Sequence, residues 1–345
     1  MPSSTSSSDV SDATPAIDAR RWAFAWLGAV LLAAIALFAW DAHFRRAGVA
    51  PEVIDSKQLW AQQRARADGD PPPRAVVFLG ASRTVYGLDP KVWRERRPQD
   101  KPLMLAVNGH YPAATLRDLA FDEDFRGLVI CDIDSYGLLP AHWDMQQPWV
   151  DYARTRWNAN WVIHRLLLTQ WQRGSVLANP AVGLWAVLKR LRSGETLALP
   201  YSVNFANRAG EMRFERVDTA GLAAHFDSEV DFKLARFPAP SPQRFLADLA
   251  PVQDWASRIR ARGGNVVFVT LPVHGRLPEM ETRYMPRADY WDAFAAQPEI
   301  RALHYGDVPA LQAIDLPDHS HVAAHDRRTL TLALIDALQA RGWLD

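Results

Sequence analysis

Apolar residues along this chain fall into short unbroken runs, separated by stretches in which they recur every three or four positions. Ala75–Gly80, Pro102–Val107, Gly127–Ile133 and Asn265–Leu271 are runs of the first kind, and Ala302–Tyr305 is a weaker fifth. Short runs without polar alternation read as strands buried on both faces. Pro90–Arg97, Ala113–Asp122, Pro242–Arg262 and Arg327–Arg341 carry helical spacing, the third stopped by Gly263-Gly264. Strands alternating with helices predict an α/β fold: a parallel sheet with helices on both faces.

Three stretches depart from this rhythm. From Trp22 to Trp40 no residue is charged, and the run is mostly Ala, Leu, Val, Ile and Phe. It matches the roughly 20 residues needed to cross a bilayer, and Trp22, Trp26 and Trp40 sit where interfacial aromatics are expected. A cleaved signal peptide would have a shorter apolar core followed by small residues, so an uncleaved transmembrane helix over 22–40 is expected. Residues 1–21 before it read as a disordered tail. Residues 41–73 read as a connector with a helix over Ser56–Asp68 and a stiff proline run at its end, placing the start of the globular domain near Arg74 (domain 74–345). Residues 141–240, rich in Trp, Arg, Asn and Pro, read as an insertion covering the site, helical over Trp157–Leu177 and Ala181–Arg192 and irregular afterwards.

Composition narrows the function. Lys+Arg and Asp+Glu each number 39 in 345 residues, so the basic excess typical of nucleic-acid binding is absent. Cys131 is the single cysteine; it has no partner for an internal disulfide and sits in an apolar run as a small hydrophobe. The 14 Trp suit core and membrane-interface positions, or a sugar-facing cleft in the middle third. Basic residues flank both ends of the apolar helix, so charge does not orient it.

The candidate chemistry lies at strand ends. Val76-Val-Phe-Leu-Gly-Ala-Ser82 presents a serine two residues after a strand, where open parallel sheets place ligands. The alternative is Ser82 as a helix N-cap. Far downstream, Asp318-His-Ser-His321 places a carboxylate three residues before a histidine, the arrangement that orients an imidazole toward a serine. His319 and His325 compete with His321, and Asp315 with Asp318. The three histidines lack a carboxylate-rich or Cys partner pattern, so neither a metal nor a cofactor is expected. Asn108-Gly109 closes the second strand and can supply oxyanion donors beside the Ser82 N–H, or be a plain turn. His110 can face substrate or cap a helix. Asp134 ends the third strand, His274 follows the fourth within Leu-Pro-Val-His, and Arg83 follows Ser82; each suits substrate binding or a structural role. No Gly-x-Gly-x-x-Gly or Walker pattern follows any strand, which argues against a nucleotide-binding domain.

Gly80-Ala-Ser-Arg-Thr-Val-Tyr-Gly-Leu-Asp-Pro90, Val107-Asn-Gly-His-Tyr-Pro-Ala-Ala-Thr-Leu116 and Asp318-His-Ser-His321 resemble three blocks of the SGNH/GDSL hydrolase superfamily. The likeness is to its membrane-anchored branch tied to bacterial polysaccharide O-acetylation, in the style of alginate acetylation proteins. It spans roughly 75–340, with 141–240 unmatched. The resemblance implies a three-layer α/β/α sandwich of SGNH/flavodoxin-like kind, with Ser82 as nucleophile, His321 as base and Asp318 as its orienter. It also implies oxyanion donors at Ser82 and the Asn108-Gly109 turn. Gly-Ala-Ser stands where the family has Gly-Asp-Ser. Asp132-Ile-Asp134-Ser135 stands where a Gly-x-Asn-Asp block is usual, leaving a third oxyanion donor unassigned.

The expectation is therefore a serine acyl-esterase or O-acyltransferase acting on acyl esters of a cell-surface polysaccharide. It would be held by membrane lipid through its single helix in the inner membrane, face the periplasm, and work beside a membrane-bound O-acyltransferase. The alternative is a non-catalytic SGNH-like domain that binds glycan or supports such an acyltransferase.

Overall fold

The computed structural model describes residues 19–68, 73–236 and 238–344. Seven strands run β1 (Arg74–Leu79), β2 (Asp100–Met104), β3 (Leu128–Asp132), β4 (Ser202–Asn204), β5 (Gly210–Met212), β6 (Asn265–Val269) and β7 (Ala302–Leu303). Five of them form one parallel sheet in the order β2–β1–β3–β6–β7; β4 and β5 make a separate antiparallel hairpin. The protein is an α/β fold with a central parallel sheet between helices.

Each central strand is apolar on both sides because both sides are covered. Val77 and Leu79 of β1 join Val129, Cys131, Val266 and Phe268 in one core. Val76 and Phe78 join Leu128, Ile130, Val267 and Val269 in the other. Burying both faces removes the polar alternation of a half-exposed strand, the pattern visible in the sequence.

In chain order the helices are α1 (Ala19–Arg46), α2 (Lys57–Arg64), α3 (Ser82–Gly87), α4 (Pro90–Arg96), α5 (Ala113–Ala120), α6 (Gln147–Thr155) and α7 (Ala159–Gly174). They continue with α8 (Leu184–Ser193), α9 (Thr219–Arg236), α10 (Pro242–Asp248), α11 (Ala250–Ala261), α12 (Trp291–Ala295), α13 (Pro309–Gln312) and α14 (Arg327–Gln339). α1 is long and apolar enough to cross a membrane, with a mean hydropathy of 2.2 over its most apolar window.

Several boundaries differ from the sequence reading. The apolar helix starts by Ala19 and continues to Arg46, so residues 41–46 are helix and not connector. The rest of the tail, residues 1–18, and most of the proline run, 69–72, lie outside the described residues. The expected connector is packed into the body: Trp60 of α2 is fully buried and its indole N–H donates to the Leu105 carbonyl at 2.8 Å. Arg64 of the same helix pairs with Asp68, Asp118 and Asp122. The long helix expected over Pro242–Arg262 is two, α10 and α11, joined at Leu249 just ahead of Pro251; a proline supplies no N–H to continue the first helix. The stretch expected to be irregular after residue 192 contains the β4–β5 hairpin and the whole of α9.

Candidate active site

β1 pairs with β2 on one side and with β3 on the other, so the chain reverses its direction of travel across the sheet there. Parallel sheets open a crevice beyond their C-terminal strand ends at such a reversal. Gly80 leaves β1 with φ +154°, and a Cβ on it would lie 2.0 Å from Thr84 Oγ1 and 3.1 Å from Asp132 Cβ. Only glycine lets α3 fold back this closely over the strand end. Ser82 opens α3 as its first residue. Its alternative role as N-cap of the following helix is not what the structure contains: Asp89 caps α4 by accepting the Lys91 N–H at 2.8 Å.

Asp132, at the end of β3, holds this turn from below. It accepts the Thr84 hydroxyl at 2.8 Å and the Leu271 N–H at 3.2 Å. Burial raises its carboxyl above the usual range, and the positive charge of Arg83 only partly offsets this. Arg83 pairs with Asp134 at 3.1 Å. Burial alone would lower the guanidinium's pKa, yet the charges of Asp132 and Asp134 raise it. Asp134 also accepts the Gly137 N–H at 2.7 Å. Arg83 and Asp134 thus neutralise each other at the cavity edge.

The downstream pair comes together as its spacing suggested. Asp318 is fully buried and accepts His321 Nδ1–H at 2.8 Å, together with the backbone N–H groups of Ser320 at 3.0 Å and His321 at 2.6 Å. Burial alone would raise this carboxyl, but those donors outweigh it and hold it below the ordinary carboxylate value. His321 is 4% exposed, and its Nε2 is buried with no hydrogen-bond partner. The ring is wedged edge-on between Phe226, at 5.2 Å between centroids, and Tyr86, at 6.0 Å. The competing residues go elsewhere: His319 Nδ1 meets Asp227 at 3.1 Å, His325 is solvent-exposed beside Asp326, and Asp315 is exposed.

Val107–His110 forms a tight turn closed by the His110 N–H to the Val107 carbonyl at 3.1 Å, with Gly109 at φ +73°. Asn108 and Gly109 both line the cavity, and the Asn108 amide reaches the Tyr86 hydroxyl at 3.4 Å. His110 sets its Nδ1 2.7 Å from the Asn108 carbonyl and its ring against Trp149, so it stiffens the turn and does not cap α5. Sequence reasoning missed Gln146, which is completely buried. Its amide donates to the carbonyls of Gly80 at 3.1 Å and His110 at 2.9 Å, and its oxygen accepts the Thr115 hydroxyl. One side chain therefore fixes the distance between the serine turn and the Asn108-Gly109 turn.

Ser82, Arg83, Asn108, Gly109, His110, Asp134 and His321 share one cavity of about 530 Å³. His274 is not among its lining residues; its backbone N–H donates to the His319 carbonyl at 2.8 Å, joining the loop after β6 to the loop that carries His321. The aromatic lining among the described residues includes Tyr86, Tyr111, Tyr136, Tyr201, Tyr305, Phe226 and Phe232 but no Trp, so the sugar-cleft alternative for the tryptophans is not what the cavity contains. Leu277, Met280 and Met285 add an apolar side. One wall comes from the 141–240 stretch, through the hairpin and α9. α9 is fastened over the site by Asp227, which accepts the Arg276 N–H at 2.9 Å and contacts His319, and by Asp231, which meets both terminal nitrogens of Arg276 at 2.7 Å.

No protein-family model and no curated protein matches the sequence. The crystal structure of TesA matches with 12% identity over 77% of this chain and 99% of that one, at a TM-score of 0.35. A likeness at that score carries no argument, so the functional reading rests on the site.

Proposed function

We propose that this protein is a serine acyl-ester enzyme in which Ser82 is the nucleophile, His321 the general base and Asp318 the group that orients it. One observation carries the reading: a buried Asp318–His321 pair leaves His321 Nε2 unpartnered in the cavity that Ser82 lines. A buried ring nitrogen without a partner costs stability, and a proton passing from a serine hydroxyl would satisfy it. In the reaction Ser82 Oγ attacks the ester carbonyl as His321 takes its proton. The oxyanion is met by the N–H groups of Ser82 and Gly109 and by the Asn108 amide. His321 then returns the proton to the departing alcohol, leaving an acyl-serine. Water or a second hydroxyl, deprotonated by His321, releases the acyl group.

The apolar lining beside Met280 and Met285 suits the acyl part, and the tyrosines suit a hydroxyl-rich partner such as a polysaccharide. With α1 as its membrane anchor, the reading extends to a single-pass protein of the inner membrane facing the periplasm, passing acyl groups to a cell-surface glycan in company with a membrane-bound O-acyltransferase. A second reading, a non-catalytic glycan-binding partner of such an acyltransferase, has one observation in its favour: Asp132-Ile-Asp134-Ser135 stands where a Gly-x-Asn-Asp block with a third oxyanion donor is usual.

Hydrolysis of p-nitrophenyl acetate by the full chain in detergent separates the two. Ser82→Ala and His321→Ala, folded by circular dichroism, should each lose at least about 10³-fold in kcat. A fluorophosphonate should label Ser82 and nothing else. Unchanged activity in Ser82→Ala, or no labelling of the native protein, would favour the binding partner.

A further inference from the structure

α7 is built inside out for a helix in water. Its inward side holds Arg165 and Gln172, 3% and 4% exposed, while Val162, Ile163, Leu166, Leu167 and Trp171 all face outward. Water-facing helices place their apolar stripe against a core. α8 repeats the pattern: Leu184, Trp185, Leu188 and Leu191 lie on one side, Trp185 is 83% exposed, and none of its residues is buried. A protein domain rarely leaves so much contiguous apolar surface without a partner.

The position of this surface identifies the partner. The last turns of α1 are bonded to the segment joining α7 and α8. Asp41 accepts the Ser175 hydroxyl at 2.7 Å and the Val176 N–H at 2.9 Å, Arg45 donates to the Gly174 carbonyl at 2.6 Å, and the Trp40 indole donates to the Val182 carbonyl at 2.9 Å. Phe44, Val49, Val176 and Val182 close a small core around these bonds. The two outward apolar faces therefore begin where the apolar helix ends. Arg173, Lys189 and Arg192 are exposed along them, matching the cation-and-tryptophan pattern of helices lying in a bilayer surface.

We infer that α7 and α8 form an in-plane membrane-docking element that sinks its apolar faces into the bilayer surface beside the exit of α1, with the cations at the phosphate level. The inference rests on α1 spanning the membrane. The 141–240 stretch would then have two jobs, riding on lipid through α7 and α8 and walling the cavity through α9.

The test uses the full chain, one copy per lipid nanodisc of phosphatidylcholine and phosphatidylglycerol. Cys131 is fully buried, so a thiol-reactive NBD dye reports on a single introduced cysteine. Leu31→Cys reads α1, Leu166→Cys and Trp185→Cys read the two faces, and Arg244→Cys on α10 is the aqueous reference. With nitroxide-labelled lipid, dye at positions 166 and 185 should lose most of its fluorescence while dye at 244 keeps it. Quenching at 31 with 166 and 185 behaving like 244 would overturn the docking and leave the span intact. No quenching at any position would overturn both. Dye at 166 and 185 shielded from aqueous iodide but untouched by nitroxide lipid would mean that protein covers the face, which also overturns the inference.

Discussion

Asp318 and Asp132 are buried carboxylates a few residues from the same cavity, yet their surroundings drive them in opposite directions. Three N–H donors hold the Asp318 pKa down, so the carboxylate stabilises the fold. That contribution is complete above the ordinary carboxylate range and fades as pH falls through its depressed folded value. Asp318→Asn should therefore lower the unfolding free energy by roughly 1–3 kcal/mol at neutral pH, the cost of a broken buried polar network. In urea titrations the gap to wild type should narrow as pH falls below the ordinary carboxylate range and through the depressed folded value, where the native carboxyl is protonated; a gap constant with pH would refute the assignment. Asp132 has the reverse sign, since its folded pKa is raised, and stability falls as pH rises through the window between its unfolded and folded values. Asp132→Asn should remove that slope while Asn keeps an oxygen for the Leu271 N–H. The Asp-x-x-His spacing was readable in sequence because its geometry is local. What no local spacing shows is where the competitor His319 goes, because that depends on Asp227, distant along the chain, taking it.

At the scale of elements, α2 and Gln146 show where local reading stops. Ser56 caps α2 by accepting the Leu59 N–H at 3.2 Å, and the helix itself was legible. That it belongs to the core was not, because α6, α7 and β2, all distant along the chain, pack against it. Trp60→Ala should destabilise the fold by roughly 3–5 kcal/mol, measured by denaturant unfolding of the full chain; a loss under about 1 kcal/mol would mean that α2 is peripheral. Gln146 lies in a Trp-rich stretch with no periodic pattern to mark it, and its importance comes from two carbonyls that the fold brings to it. Gln146→Ala should leave Ser82 reactive toward a small fluorophosphonate but slow ester turnover by about 10-fold or more, as expected when an oxyanion donor is displaced. The comparison of labelling rate with kcat distinguishes this from loss of the nucleophile itself.

Across the whole molecule, α9 walls the cavity that Ser82 lines, and on the proposed mechanism it would limit the water that reaches an acyl-serine. Phe226 packs on His321, and Asp227 and Asp231 tie the helix to Arg276. Arg276→Ala should loosen this wall and raise hydrolysis relative to transfer to an added alcohol by about threefold or more, because acyl transfer depends on excluding water. Product ratios from the full chain in detergent would read this directly, and an unchanged ratio would mean that α9 does not control access.

The sequence by itself determined the five strands of the parallel sheet, the apolar helix, the serine turn and the Asp318–His321 pair. Each rests on contacts between residues close along the chain: apolar burial on two faces, a glycine that permits a sharp turn, a three-residue spacing. Tertiary structure alone decided that His319 turns to Asp227, that Arg83 and Asp134 pair with each other, that His274 serves the loop and not the cavity, and that tyrosines rather than tryptophans line it. Those outcomes depend on which distant segments meet at the end of β1 and β3, and the sheet order that sets those meetings leaves no local signature in the chain.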